Sequence, residues 1–141
     1  MSDLARRAVA CRRWRWMPGM FTLEEIIPPA ITLGWDEARI INSDPGEDAR
    51  VCTVLGRVRD IHATALPDLD DPATLGCLLA LVREALAKTL RHGHRAYACT
   101  TLTGQWVVMC SGNPHWPDGI VGCAQFDTEA AALVAALEAA P

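Results

Sequence analysis

The sequence predicts an α+β domain in which an antiparallel β-sheet meander packs against three main helices. Three stretches carry that expectation. Asp70-Asp71-Pro72 opens an amphipathic segment reaching to about Arg91. Residues 95–126 alternate short apolar runs with turn residues. Asp127-Thr128-Glu129 opens a last, alanine-rich apolar segment. The chain has 141 residues; a single domain over residues 1–141 is expected, large enough to need no disulfide or metal for its core.

Taken in order, residues 2–15 predict a short helix. Ser2 or Asp3 suits its N-cap, and Leu4, Ala8 and Cys11 share one face. Pro18-Gly19 is the expected stop. Residues 20–60 read as short strands, with Ile31 to Trp35 and Ala38 to Asn42 paired around Trp35-Asp36-Glu37. Pro28-Pro29 marks an edge or loop, and Asn42 to Gly46 a turn. Val51 to Val58 is one further β-like run, and residues 60–71 form a connector.

Asp71 then caps the central helix, and Pro72 fits its first position, where a missing N–H costs nothing. Leu75, Leu78, Leu79, Val82 and Leu86 make its apolar stripe, which Cys77, Leu81 and Ala85 widen, so this helix should be the most buried. Arg83, Glu84 and Lys88 form its polar face, and Gly93 its stop. Arg95 to Thr100 and Gln105 to Cys110 pair through Leu102-Thr103-Gly104, with Ile120 to Phe126 as a third strand. Asp127 or Thr128 caps the last helix, whose inner face is Ala130, Leu133, Val134 and Leu137. Its other side is mostly alanine, and close packing of that side against a second copy would give a homodimer.

Half of the residues are apolar and 21% are charged, the balance of a globular chain rather than a disordered one. No apolar run approaches the roughly 18 residues of a membrane span. Arg6 and Arg7 are not followed by an apolar stretch of signal-peptide length, so a cytoplasmic protein is expected. The net charge of −4 argues against general DNA binding, which depends on neutralising phosphates. That charge is uneven: Arg6, Arg7, Arg12, Arg13 and Arg15 face only Asp3 near the N-terminus. Six cysteines, at 11, 52, 77, 99, 110 and 123, form no CxxC pair and read as free, buried thiols.

Two stretches are candidate recognition sites. In Arg12-Arg13-Trp14-Arg15-Trp16, guanidinium groups can grip phosphate and indoles can stack on bases. On a continuing helix Arg12 and Trp16 would share a face, while Trp14 would point elsewhere, leaving one indole in the core and the other partly exposed. The second is the loop Asn113 to Gly119, whose His115, Trp116 and Asp118 could form a recognition tip. His92 and His94 are read as cations at a helix end and Asp68, Asp70 and Asp71 as a capping connector. No catalytic residue, metal ligand or cofactor is expected.

A helix leading into tryptophans, an Asp-Pro helix start, a Trp-bearing hairpin and an alanine-rich last helix occur together in Leu4–Met20, Pro67–Leu79, Gln105–Val108 and Asp127–Leu137. This pattern resembles small accessory proteins of tailed phages and prophages, in particular the phage α-β-α sandwich domain group. The resemblance covers under half of the chain. It implies a protein of the bacterial host cytoplasm that binds and inhibits a component of anti-phage defence without catalysis. It would do so by sequestering a small nucleotide signal or by capping a defence protein. A small nucleotide-hydrolysing enzyme and a phage structural or assembly protein are the alternatives.

Overall fold

The computed structural model describes residues 2–25, 35–42, 49–53, 56–61, 63–87, 95–110 and 124–140. Three helices are present: α1 (Ser2–Ala10), α2 (Pro72–Leu86) and α3 (Glu129–Ala139). The strands are β1 (Phe21–Glu25), β2 (Trp35–Asn42), β3 (Arg50–Thr53), β4 (Val58–Asp60), β5 (Leu66–Pro67), β6 (Ala96–Thr100) and β7 (Trp106–Cys110). The α+β class is therefore as expected, with every described strand pair antiparallel. No helix among the described residues is long and apolar enough to cross a membrane. The chain divides into two compact units, Met1–Val9 with Arg15–Cys77 and Ala10–Trp14 with Leu78–Pro141.

The first unit holds a five-stranded sheet in the order β4-β3-β2-β1-β5. Alternation along the strands separates its two faces. Thr22, Ala38, Ile40, Val51 and Thr53 are buried on one face, and Thr22 Oγ1 donates to the Ala38 carbonyl at 3.2 Å. Phe21, Leu23, Arg39, Cys52 and Val58 lie on the other, partly in water. One covered and one half-wet face is the usual state of an antiparallel sheet.

Three local expectations change here. Trp35-Asp36-Glu37 is not a turn: Trp35–Asn42 is a single strand, and its partner is β1, in register Phe21↔Arg39 to Glu25↔Trp35. The polar pair only resembles a turn, and the ladder with β1 outweighs that local preference. The run Val51 to Val58 is two strands rather than one. Thr53 N–H donates to the Arg57 carbonyl at 2.9 Å, and Gly56 makes the reversal at φ +74, a conformation open to glycine. The connector also contributes the edge strand β5, whose Pro67 sits where its missing N–H is tolerated. Residues 26–34, 43–48 and 111–123, with the Pro28-Pro29 edge, the Ser43–Gly46 part of the turn and most of the third meander strand, lie outside the described residues.

In the second unit, β6 and β7 form a hairpin whose turn matches the expectation. Thr101 N–H donates to the Gln105 carbonyl at 2.7 Å, Gly104 N–H to the Thr101 carbonyl at 2.9 Å, and Gly104 has φ +81. Of the expected third strand, residues 120–123 lie outside the described residues, and among 124–126 only Phe126 pairs, through an isolated antiparallel bridge to Trp106. Helix α3 packs on both strands and buries Ala130, Ala132, Leu133, Val134, Ala136 and Leu137. Ala132 and Ala136 are thus covered within the chain itself, so much of the alanine face is spoken for before any second copy arrives. Helix α2 is less fully covered. Leu78, Leu81, Val82, Ala85 and Leu86 are buried, but Leu75 and Leu79 are half-buried. Its described helical residues end at Leu86, and residues 88–94, including Lys88 and Gly93, are outside the described set.

Candidate functional site

The expected arginine–tryptophan site starts where α1 stops. Helix α1 ends at Ala10, five residues short of the predicted limit, and a turn follows in which Trp14 N–H donates to the Cys11 carbonyl at 2.9 Å. No glycine or proline forces this end. Helix preference is worth only a few tenths of a kcal/mol per residue, so contacts at the corner override it. One such contact is Cys11 Sγ, 3.6 Å from the Leu137 carbonyl of α3. The shared helical face of Arg12 and Trp16 therefore does not exist. The boundary of the two compact units falls between Trp14 and Arg15.

What remains together is the corner Arg12-Arg13-Trp14. Arg12 is exposed and Arg13 half-buried, and neither makes an ion pair or hydrogen bond among the described residues. Trp14 is half-buried, with its indole Nε1 sealed from water. In the sheet unit, Arg15 is exposed and Trp16 half-buried, both engaged in contacts of their own. The expectation of one core and one partly exposed tryptophan is corrected in its first half: both Trp14 and Trp16 are half-buried, and neither is in the core. The second candidate site, His115, Trp116 and Asp118, lies outside the described residues.

A cluster that sequence reasoning did not assemble sits at the start of α2. Asp71 Oδ2 accepts from Thr74 N–H at 2.8 Å and from Thr74 Oγ1 at 2.9 Å. Thr74 Oγ1 in turn accepts from Phe21 N–H of β1 at 2.8 Å. Arg39 of β2 closes the group. Its Nη1 donates to the Gly19 carbonyl at 2.6 Å, its Nη2 lies 3.7 Å from Asp71 Oδ1, and its guanidinium lies 5.1 Å from the centre of the Phe21 ring. Asp68 behaves likewise, accepting from Asp70 N–H at 3.0 Å. These polar groups are engaged with each other, so the cluster acts as a clasp between helix and sheet. Asp71 was legible as a cap. Arg39 was not, because only the β1–β2 register brings it there.

The five described cysteines, 11, 52, 77, 99 and 110, are free, but only Cys110 is buried. The other four are half-buried, a correction to the expected burial. Burial pushes the Cys110 thiol pKa up. For Cys77, burial again comes first, the Asp71 charge raises it further, and Arg39 pulls it down. No three metal-binding side chains converge among the described residues. Compared with protein-family models, curated proteins and solved structures, the chain matches none of them.

Proposed function

We propose that this protein is a non-enzymatic binder of phage or prophage origin that inhibits host anti-phage defence by holding a small nucleotide signal at the Arg12–Trp14 corner. The supporting observation is the pair of consecutive arginines, unpaired among the described residues, beside a half-buried indole. A guanidinium without a protein partner offers its fork of donors to phosphate. A half-buried indole can stack on a base, and stacking tolerates any base because each has a π-face.

The test is incubation of the purified chain with cyclic dinucleotides and ADP-ribose derivatives, then heat release and chromatography. Recovery of intact ligand is the expected result. New products would establish the nucleotide-hydrolysing alternative instead. The double variant Arg12→Glu/Arg13→Glu should lose at least about tenfold in affinity, the scale of one charge-assisted hydrogen bond. Trp14→Ala should weaken binding while the fold persists. If both variants bind as the wild type does, the corner is not the site. If no nucleotide binds, the protein-capping version of the role takes its place. Stoichiometric presence in phage particles would favour an assembly role.

A further inference from the structure

We propose that the Arg12–Trp14 corner takes a nucleotide with one base and two directly linked phosphates, the class of ADP-ribose and its derivatives, in preference to a cyclic dinucleotide. This rests on the nucleotide reading of the corner and narrows it. Trp14 N–H donates to the Cys11 carbonyl at 2.9 Å, which closes a four-residue turn and puts Arg12 and Arg13 at its two central positions. Neighbouring Cα atoms are about 3.8 Å apart, so the two side chains leave the backbone almost from one point.

They do not enter the same surroundings. Arg12 is exposed and Arg13 is half-buried, and neither makes an ion pair or hydrogen bond among the described residues. Like charges on adjacent residues repel, so the two guanidiniums are best placed a short distance apart, each on its own anionic group. Two phosphates sharing a bridging oxygen supply that spacing. In a cyclic dinucleotide a ribose separates the phosphates on either path round the ring. Spanning them would stretch both arginines in opposite directions and cost them rotamer freedom.

The number of bases points the same way. Trp14 is half-buried and is the one indole of the turn, while Trp16 belongs to the other compact unit and is engaged in contacts of its own. One indole stacks on one base, and a second base finds no such partner in the turn. A nearby helix end also sets how the ligand must be held. Cys11 Sγ lies 3.6 Å from the Leu137 carbonyl, in the last turn of α3, where the helix dipole is negative. That end repels an anion, so retention depends on both guanidiniums acting together. A mononucleotide offers one phosphate to two forks in different surroundings, whereas a linked pair offers one to each.

The test compares three adenine nucleotides on the full chain by calorimetry at fixed salt. AMP, ADP-ribose and cyclic di-AMP carry nearly the same net charge near neutral pH, roughly −2. It sits on one phosphate, on two linked phosphates and on two separated phosphates respectively, so differences report spacing rather than total charge. ADP-ribose should bind at least about tenfold more tightly than either of the others, the scale of one charge-assisted hydrogen bond. Arg12→Gln and Arg13→Gln should each erase that preference and bring ADP-ribose to the affinity of AMP. Arg12 is exposed, so Arg12→Gln decides the matter alone if Arg13→Gln does not fold. If AMP or cyclic di-AMP binds as tightly as ADP-ribose and Arg12→Gln weakens it, the linked-phosphate inference is overturned while the corner remains the site. A preference for ADP-ribose that neither arginine variant alters places the ligand elsewhere and overturns both readings. Failure of all three nucleotides to bind overturns both as well.

Discussion

Two helices in this chain begin with the same local chemistry, and the neighbours of each cap make them different. At α3, Thr128 Oγ1 accepts from Ala131 N–H at 3.2 Å, in water. At α2, Asp71 accepts two bonds from Thr74, and Thr74, fully buried, also holds the Phe21 amide of β1. The first cap ends a helix. The second ties a helix to a strand, and a buried polar group that loses its partner has no water to turn to.

The comparison can be broken in a definite order. Asp71→Ala should cost most, about 3 kcal/mol, because the cap and the partner of a buried hydroxyl go together. The exposed ion pair with Arg39 adds little to that figure. Thr74→Val keeps the shape but orphans the Phe21 amide and should cost about 2 kcal/mol. Thr128→Ala should cost about 1 kcal/mol or less. Urea unfolding of the three variants checks the order; equal losses would mean that the α2 clasp is no more than a cap. Combining Asp71→Ala with Thr74→Val should cost less than the sum of the two, since both sever one bond.

The smallest effect sharpens the electrostatics of the clasp. Cys77 has its pKa raised on folding, by burial first and by Asp71 second. Its stabilising share is complete while the unfolded thiol is still protonated, and it is lost as pH rises through the folded value. Cys77→Ser should therefore soften the alkaline decline in stability, measured as unfolding midpoints from neutral to alkaline pH. Alkylation of Cys77 at mildly alkaline pH should be faster in Asp71→Ala than in the wild type.

Legibility followed range. The Asp71-Pro72 start, the Gly104 hairpin and the Thr128 cap were readable because each is an interaction within a few residues. The strand Trp35–Asn42 was misread as a hairpin because Asp36-Glu37 looks like a turn until β1 is beside it. The end of α1 was misplaced because the contact of Cys11 with Leu137 spans 126 residues. The candidate corner kept Arg12, Arg13 and Trp14 but not the helical geometry expected of them. The separate strand β4 was missed because Val51 to Val58 reads as one run, and only Gly56 hints at a reversal.

On its own, then, the order of residues determined the α+β class, the central and last helices, their caps and the second hairpin. Those rest on hydrophobic period and on short-range hydrogen bonds, which the chain carries wherever it goes. Tertiary structure alone decided which strands are neighbours, where α1 stops and which arginine closes the clasp. Each of these balances a local preference of a few tenths of a kcal/mol against burial and pairing between distant residues, and the distant terms are larger.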